Sequence, residues 1–167
     1  MAGINNILGK DINIGFGKLS KSNNILLEKF NCDNPSIDKY FTEDALNDRQ
    51  STTYLFINKD EEDIVAAFTI YCSGVIDRSN PANRNILSAI EICYFATNKK
   101  YQKLPYSENK NDRTLSHQLI CFCINYIREV PCSYCAASIL ILYSVPDAVK
   151  FYSNAGFDNF TVKISLI

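Results

Sequence analysis

A helical pattern followed closely by a strand-length apolar run constrains the fold more than any other feature of this sequence. Apolar residues recur at helical spacing over residues 115–130, and Pro131 ends that pattern. The run over residues 136–143 has the length and apolar character of a strand covered on both faces. Another strand, beginning at Ile86 or Ala89 and ending at Thr97, precedes the helix. Together these elements predict a βαβ unit with parallel strands and a right-handed crossover.

The N-terminal half predicts a helix followed by a β-hairpin. Asn34 is a capping residue with Pro35 at the first helical position, and apolar residues continue at helical spacing to about Gln50. Residues 52–57 and 64–72 are rich in β-branched and aromatic side chains, and a polar stretch separates them. They pair most simply as antiparallel strands. A weaker alternation over residues 11–18 predicts a first strand.

The C-terminal part predicts a short helix and a last strand. Ser144 and Pro146 open the helix, and Gly156 stands where a left-handed C-terminal cap belongs. Residues 160–166 alternate as a final strand. The predicted fold is therefore an α/β (α+β) single domain over residues 1–167, with a mixed, mostly antiparallel sheet and helices on both faces.

Composition narrows the class of protein. The chain has 167 residues, of which 47% are hydrophobic and 21% charged, values typical of one globular domain. We expect a cytoplasmic protein, because no apolar segment approaches membrane-spanning length and the N-terminus lacks a signal-peptide pattern. Most of the seven cysteines lie in apolar runs, so we predict that they are core residues. Cys132 and Cys135 have CxxC spacing, but no second pair completes a zinc site, so no metal is expected.

Charge is distributed unevenly along a chain whose net charge is −1. Acidic residues dominate between Asp33 and Asp63, and basic residues dominate between Asn98 and Arg113. Either run can simply be a solvated surface. The functional interpretation is that the basic run faces phosphates and the acidic run attracts a cationic substrate.

Three segments resemble one family of acyltransferases. The segment AVKFYSNAGF (residues 148–157) resembles the last helix and turn of GNAT acetyltransferases, and AIEICYFATNKKYQ (residues 89–102) is similar to their central strand. Residues 30–56 resemble the start of a bacterial branch that includes toxins acting on aminoacyl-tRNA. The resemblance covers almost the whole chain and implies acetyl-CoA as co-substrate, held at the splayed end of the central strand by Phe95, Ala96 and Thr97.

The resemblance also implies roles for two titratable residues. Tyr152 would be the acid that protonates the departing thiolate; the alternative is a half-buried aromatic between helix and sheet. Glu91 would be the base that removes the amine proton, directly or through water. By strand alternation Glu91 shares a side with Cys93, Phe95 and Thr97. A purely structural Glu91 remains open, since bulk water can also take the proton.

The loop after the central strand departs from the family pattern. Such proteins usually bind the CoA pyrophosphate with a glycine-containing loop that begins with Gln or Arg. Here Gln102 opens the loop, but Pro105 and Ser107 follow, and there is no glycine between Gly74 and Gly156. In one interpretation the helix start still faces the pyrophosphate, and basic side chains assist it. In the other, the loop closes the donor site. The residues predicted to bind the donor here are Gln102, Lys103, Lys110, Arg113, Leu115 and Ser116.

Three functions follow from these features. The first is an acetyl-CoA-dependent N-acetyltransferase acting on a primary amine of a small molecule or protein. The second is a toxin acetylating aminoacyl-tRNA, ranked lower because tRNA-binding proteins usually carry a basic face. The third is a non-catalytic module that binds CoA or a partner protein. No membrane association is expected, and the chain would be a monomer or a homodimer.

Overall fold

A five-stranded mixed sheet forms the centre of the fold. The computed structural model describes residues 12–77, 85–106, 114–129 and 131–158. The strands are β1 (Ile14–Lys18), β2 (Thr52–Asn58), β3 (Asp63–Asp77), β4 (Asn85–Thr97) and β5 (Ile139–Leu142), and they lie side by side in that order. The first four strands are antiparallel, whereas β5 pairs parallel to β4. The predicted hairpin and parallel βαβ unit are confirmed.

The helices are short except for one. A 3-10 helix (Asn24–Lys29) is followed by α1 (Pro35–Lys39), which continues as a π-helical turn (Tyr40–Asp44). The long helix α2 (Leu115–Glu129) is followed by α3 (Pro131–Cys135). After β5, a 3-10 turn (Pro146–Ala148) leads into α4 (Val149–Asn154). None of the helices in the described part of the chain is long and apolar enough to cross a membrane.

Local sequence signals explain where these helices begin and end. The side chain of Asn34 accepts hydrogen bonds from the backbone amides of Ser36 and Ile37, as expected of an N-cap residue. Gly156 has a φ of 97° and follows α4 in the left-handed conformation that a residue without Cβ adopts freely. Both sequence predictions are confirmed. The predicted final strand over residues 160–166 lies outside the described residues.

Three sequence predictions about element boundaries are wrong. The second strand of the hairpin was expected to end at Cys72, but β3 continues to Asp77. The helix that begins at Pro35 was expected to reach Gln50, but α-helical hydrogen bonding ends at Lys39 and the π-helical turn ends at Asp44. The strand predicted over residues 136–143 is shorter in the structure and consists of β5 alone. It begins later because Pro131 starts a short helix, α3, before it. All four residues of β5 are half-buried rather than covered on both faces.

Apolar side chains fill both sides of the sheet. One side, called the α2 face, packs against α2 and α4, and its core includes Phe56, Phe68, Ile92, Leu119 and Ile127. The other side, called the α1 face, packs against the 3-10 helix and α1 with its π-helical turn, and its core includes Leu27, Phe41, Leu55 and Ala67. The predicted arrangement of helices on both faces is confirmed, and it leaves β4 as a strand covered on both sides.

A buried tyrosine fixes the loop that follows β4. Tyr101 is 2% exposed, and its hydroxyl donates to the carboxylate of Asp63 at 2.7 Å. The same hydroxyl accepts a hydrogen bond from Nδ2 of Asn58, also buried, at 3.0 Å. Lys100, the residue before it, contacts the carboxylates of Glu61 and Asp63. The loop is therefore attached to the turn between β2 and β3 by a polar network that is buried at Asn58 and Tyr101 and exposed at Lys100.

We predict that Tyr101→Phe lowers the free energy of unfolding by about 1–3 kcal/mol, because the buried amide of Asn58 loses its acceptor. Equilibrium urea denaturation of the full chain measures the change. Tyr134→Phe is the matched control, since the side chain of Tyr134 is 87% exposed and should leave stability unchanged. Equal stability of Tyr101→Phe and wild type would contradict this account of the loop.

Candidate active site

The two parallel strands of the sheet separate at their C-terminal ends. β4 pairs with β5 only from Ala89 to Ile92, opposite Ile139 to Leu142. β4 nevertheless continues to Thr97 and stays paired with β3 along that length. The last five residues of β4, Cys93 to Thr97, therefore have no β5 partner in the described structure. We call the gap between these residues and the chain that follows β5 the β4–β5 notch.

A β-bulge marks the point where the notch begins. Thr69 of β3 pairs with Tyr94, but the next residue, Ile70, pairs with Ile92, so Cys93 is an extra residue in β4. One extra residue turns every later side chain to the opposite side of the strand. Bulges are common beside active sites because they redirect side chains.

The bulge overturns the predicted orientation of Glu91. Strand alternation placed Glu91 on the same side as Phe95 and Thr97, which is wrong. Glu91 is opposite Tyr71 and belongs to the α1 face, together with Tyr94 and Ala96. Phe95 and Thr97 lie on the α2 face. The physical reason is the register shift at Cys93.

Tyr152 lies on the α2 face. The ring of its neighbour Phe151 stacks on Phe95 of the notch at 6.1 Å between centroids, which places α4 against the unpaired end of β4. Tyr152 packs edge-on against Phe151 and Phe157. Burial, with a smaller contribution from Cys123, raises the pKa of Tyr152 to about 12. The phenol is therefore protonated at neutral pH and can act as a proton donor.

Glu91 is held on the α1 face by two hydroxyl groups. Glu91 is 8% exposed, and Oε2 of its carboxylate accepts a hydrogen bond from Tyr71 at 2.7 Å and another from Ser73 at 3.3 Å. The hydrogen bond to Glu91 is the main reason that the pKa of Tyr71 is raised to about 12. Within the described residues, no ion pair involves Glu91. The carboxylate is thus buried and oriented by neutral donors.

Other polar groups share the α1 face with Glu91. Tyr40 stacks on Tyr94 with 4.2 Å between ring centroids, and its hydroxyl donates to the carboxylate of Asp48 at 3.1 Å. Hydrogen bonding, chiefly from Ser51, lowers the pKa of Asp48, so this carboxylate stays charged at neutral pH. Burial first, and then the nearby charge of Glu91, raises the pKa of the Cys93 thiol to about 12. This side of the notch is therefore aromatic and negatively charged.

Sequence patterns did not single out Tyr71, Ser73 or Tyr40 as site residues, and they included Asp48 only as one member of the acidic run between Asp33 and Asp63. Tyr71 and Ser73 reach Glu91 because the register between β3 and β4 places them opposite or diagonal to it. Asp48 and Tyr40 come from the turn after α1. Alternation within β3 could have indicated the first two if the pairing register had been known. The sequence alone does not determine the register between β3 and β4 to within one residue.

The predicted donor-binding residues fall into three groups. Phe95, Ala96 and Thr97 are brought together at the notch, and Oγ1 of Thr97 is buried without a hydrogen-bond partner among the described residues. Arg113 and Lys110 lie outside the described residues. The remaining four, Gln102, Lys103, Leu115 and Ser116, lie in the loop after β4 or at the start of α2.

Three of these four residues have contacts that hold the loop to the start of α2. The side-chain amide of Gln102 donates to the carbonyls of Cys32 and Thr97, both at 3.0 Å. The buried Leu115 donates its backbone amide to the carbonyl of Leu104 at 2.9 Å, and the hydroxyl of Ser116 donates to the carbonyl of Gln102 at 3.3 Å. Lys103, by contrast, is exposed.

Comparison with solved structures identifies the fold. A complex described as AtaTR bound with acetyl-CoA superposes with a TM-score of 0.71 at 14% identity, covering 92% of this chain and 90% of that one. AtaT complexed with acetyl-methionyl-tRNAfMet gives 0.68 at 13%, covering 90% of both chains. A tyrosine-to-phenylalanine mutant of the toxin AtaT, bound to the C-terminus of the antitoxin AtaR, gives 0.70 at 13%, covering 90% and 88%.

No family model matches this sequence, and no curated protein matches it either. The structural likeness nevertheless spans nine-tenths of the chain, and it confirms the GNAT-like fold that the sequence predicted. At such low identity the agreement lies in the arrangement of strands and helices rather than in the side chains.

We predict that Tyr152 makes stability fall at alkaline pH. Its folded-state pKa of about 12 lies above the ordinary tyrosine value near 10, so the stabilisation is complete below about pH 10 and is lost as the pH rises toward 12. Between about pH 8 and pH 11, wild type should lose up to about 1 kcal/mol more stability than Tyr152→Phe. Urea denaturation at both pH values measures the difference. Identical losses would show that the phenol is not buried.

Proposed function

We propose that this protein is an acetyl-CoA-dependent N-acetyltransferase whose acceptor is a primary amine. The observation that carries the proposal is the β4–β5 notch, with a protonated phenol, Tyr152, on the α2 face and an oriented carboxylate, Glu91, on the α1 face just before the notch begins. In this proposal a thioester occupies the notch from one face of the sheet, and an amine approaches from the other. The overall likeness to a complex that contains acetyl-CoA supports this interpretation.

The unpaired end of β4 has the chemistry to hold the donor. In a strand, backbone amides and carbonyls point alternately to its two neighbours, so half of those between Cys93 and Thr97 point into the notch. The amide groups of an extended pantetheine arm can pair with them in the manner of an added strand. The buried Oγ1 of Thr97, which lacks a partner among the described residues, is a further group that a bound donor would satisfy.

The side chains around the notch can move the protons that the reaction requires. The amine nitrogen forms a bond to the thioester carbonyl, and the carbon–sulfur bond breaks to release a thiolate. Glu91 accepts a proton from the amine, and Tyr152 donates its proton to the thiolate. The charge of Asp48 and the stacked rings of Tyr40 and Tyr94 favour a cationic acceptor before it loses that proton.

A second acceptor class is supported by one specific likeness. AtaT complexed with acetyl-methionyl-tRNAfMet covers 90% of this chain. The amino group of an aminoacyl-tRNA is a primary amine, so the same proton transfers would serve it. The net charge of −1 weighs against extensive phosphate contacts. One assay should therefore test three kinds of acceptor separately: free amines, protein amines and aminoacyl-tRNA.

The first test is thiol release from acetyl-CoA, measured over that panel of acceptors. We expect Tyr152→Phe to lower kcat by about 10²-fold or more while acetyl-CoA binding is retained, because only the protonation of the thiolate is lost. Tyr134→Phe, on the exposed surface of α3, should behave as wild type. Unchanged kcat would exclude the proposed role of Tyr152. Failure of wild type to bind acetyl-CoA would favour a non-catalytic module.

The second test concerns the base. Glu91→Gln keeps the shape of the side chain and an oxygen that Tyr71 can still reach, but it removes the charge. We expect the rate with amine acceptors to fall about 10²-fold or more. Glu43→Gln, at an exposed position on the π-helical turn, is the matched control. A rate equal to wild type would mean that bulk water takes the proton and that Glu91 is dispensable.

A further inference from the structure

Two cysteine thiols from distant parts of the chain lie in contact on the surface. Sγ of Cys72, in β3, is 3.5 Å from Sγ of Cys135, the last residue of α3. The two residues are 63 positions apart in the sequence, and both are exposed free thiols. A disulfide has a sulfur–sulfur distance of about 2.0 Å, so the sulfurs would need to approach each other by only about 1.5 Å.

The surroundings of the other cysteines make this pair distinctive. Cys123 is fully buried, and burial raises the pKa of its thiol well above the ordinary value. Burial likewise raises the pKa of Cys32 and Cys93 to about 12. Thiols that are buried and protonated react slowly with oxidants. Cys72 and Cys135 are instead exposed with their sulfurs in contact, and it is chiefly this contact, rather than burial, that raises the pKa of Cys72.

The same contact bears on the CxxC spacing of Cys132 and Cys135. The sequence pairs these two residues, whereas the structure places Cys135 against Cys72 on another element. In the ranges that the structure covers, no three Cys, His, Asp or Glu side chains are close enough together to hold a metal ion. Cys72 and Cys135 are therefore arranged as a dithiol. Cys132 is the residue that could compete with Cys72 for a disulfide to Cys135.

We propose that Cys72 and Cys135 form an oxidisable dithiol site, which hydrogen peroxide or glutathione disulfide converts to a disulfide. With peroxide, one thiolate attacks an oxygen and becomes a sulfenic acid as water leaves. The second thiol then attacks that sulfur, a second water leaves, and the sulfur–sulfur bond forms. Two thiols are oxidised and one peroxide is reduced to two waters. With glutathione disulfide, one thiolate forms a mixed disulfide and releases one glutathione thiol, and the second cysteine then displaces the other, so that one glutathione disulfide is reduced to two glutathione thiols. The proposal does not depend on the acetyltransferase activity.

The position of the pair gives the disulfide a structural consequence. Cys72 is opposite Ile90 in β4, and Ile90 is paired with Leu140 of β5. Cys135 lies just before β5, and the intervening backbone is already attached to β4 by the bond from Ser138 to Ser88 at 2.9 Å. The disulfide would therefore tie the start of β5 to β3 across β4, close to the point where the notch opens. Because it closes a long loop, we expect it to raise the thermal stability of the chain.

The test is oxidation of the reduced full-length protein with hydrogen peroxide, and separately with glutathione disulfide, followed by alkylation of the remaining thiols and peptide mapping. We expect loss of two hydrogen atoms, a peptide joining Cys72 to Cys135, five alkylated cysteines and a higher Tm. Dithiothreitol added before alkylation should abolish the cross-link and the rise in Tm and should leave all seven cysteines open to alkylation.

Three single variants separate this site from its competitors. Cys72→Ser and Cys135→Ser should each abolish the cross-link and the rise in Tm, whereas Cys132→Ser, the matched control, should retain both. A cross-link between Cys132 and Cys135, or one that persists in Cys72→Ser, would overturn the proposal. So would oxidation of wild type that yields only sulfinic acids or no cross-link. The wild-type peptide map decides the question even if one variant fails to fold.

Discussion

The register between β3 and β4 is the constraint on which the candidate site depends. β4 is paired with β3 along its whole length, so it cannot turn away from the sheet where β5 ends. The inserted residue Cys93 is accommodated as a bulge, and side chains before and after it face opposite sides. Glu91 consequently reaches the α1 face, and Phe95 reaches the α2 face beside α4. A strand without the bulge would direct both side chains to the same side.

The two sides of the notch differ in their chemistry because different elements cover them. The α2 face is apolar around Tyr152, and burial there keeps its phenol protonated. On the α1 face, hydroxyl groups orient Glu91, and hydrogen bonds keep Asp48 charged. The two groups to which the proposed function gives opposite proton-transfer tasks are thus separated by the sheet itself. This separation is what an amine and a thioester approaching from opposite sides require.

Much of the fold was predictable because its signals are local or periodic. Helix α2 follows from apolar spacing, the start of α1 from Asn34 and Pro35, and the end of α4 from Gly156. Tyr152 was predicted as a site residue from its surrounding segment. The face of Glu91 could not be predicted, because a one-residue bulge has no sequence signature of its own. Tyr71 likewise depends on a pairing register that is set by packing across the whole sheet.

Amide hydrogen exchange of the full chain, with and without acetyl-CoA, tests the central claim that the unpaired end of β4 is the donor site. Amides between Cys93 and Thr97 that point away from β3 have no strand partner among the described residues, so they should exchange readily in the free protein. We predict that acetyl-CoA slows exchange in this segment, while β1 and the outer part of β2 are unaffected. Protection that appears elsewhere and leaves residues 93–97 unchanged would contradict the account.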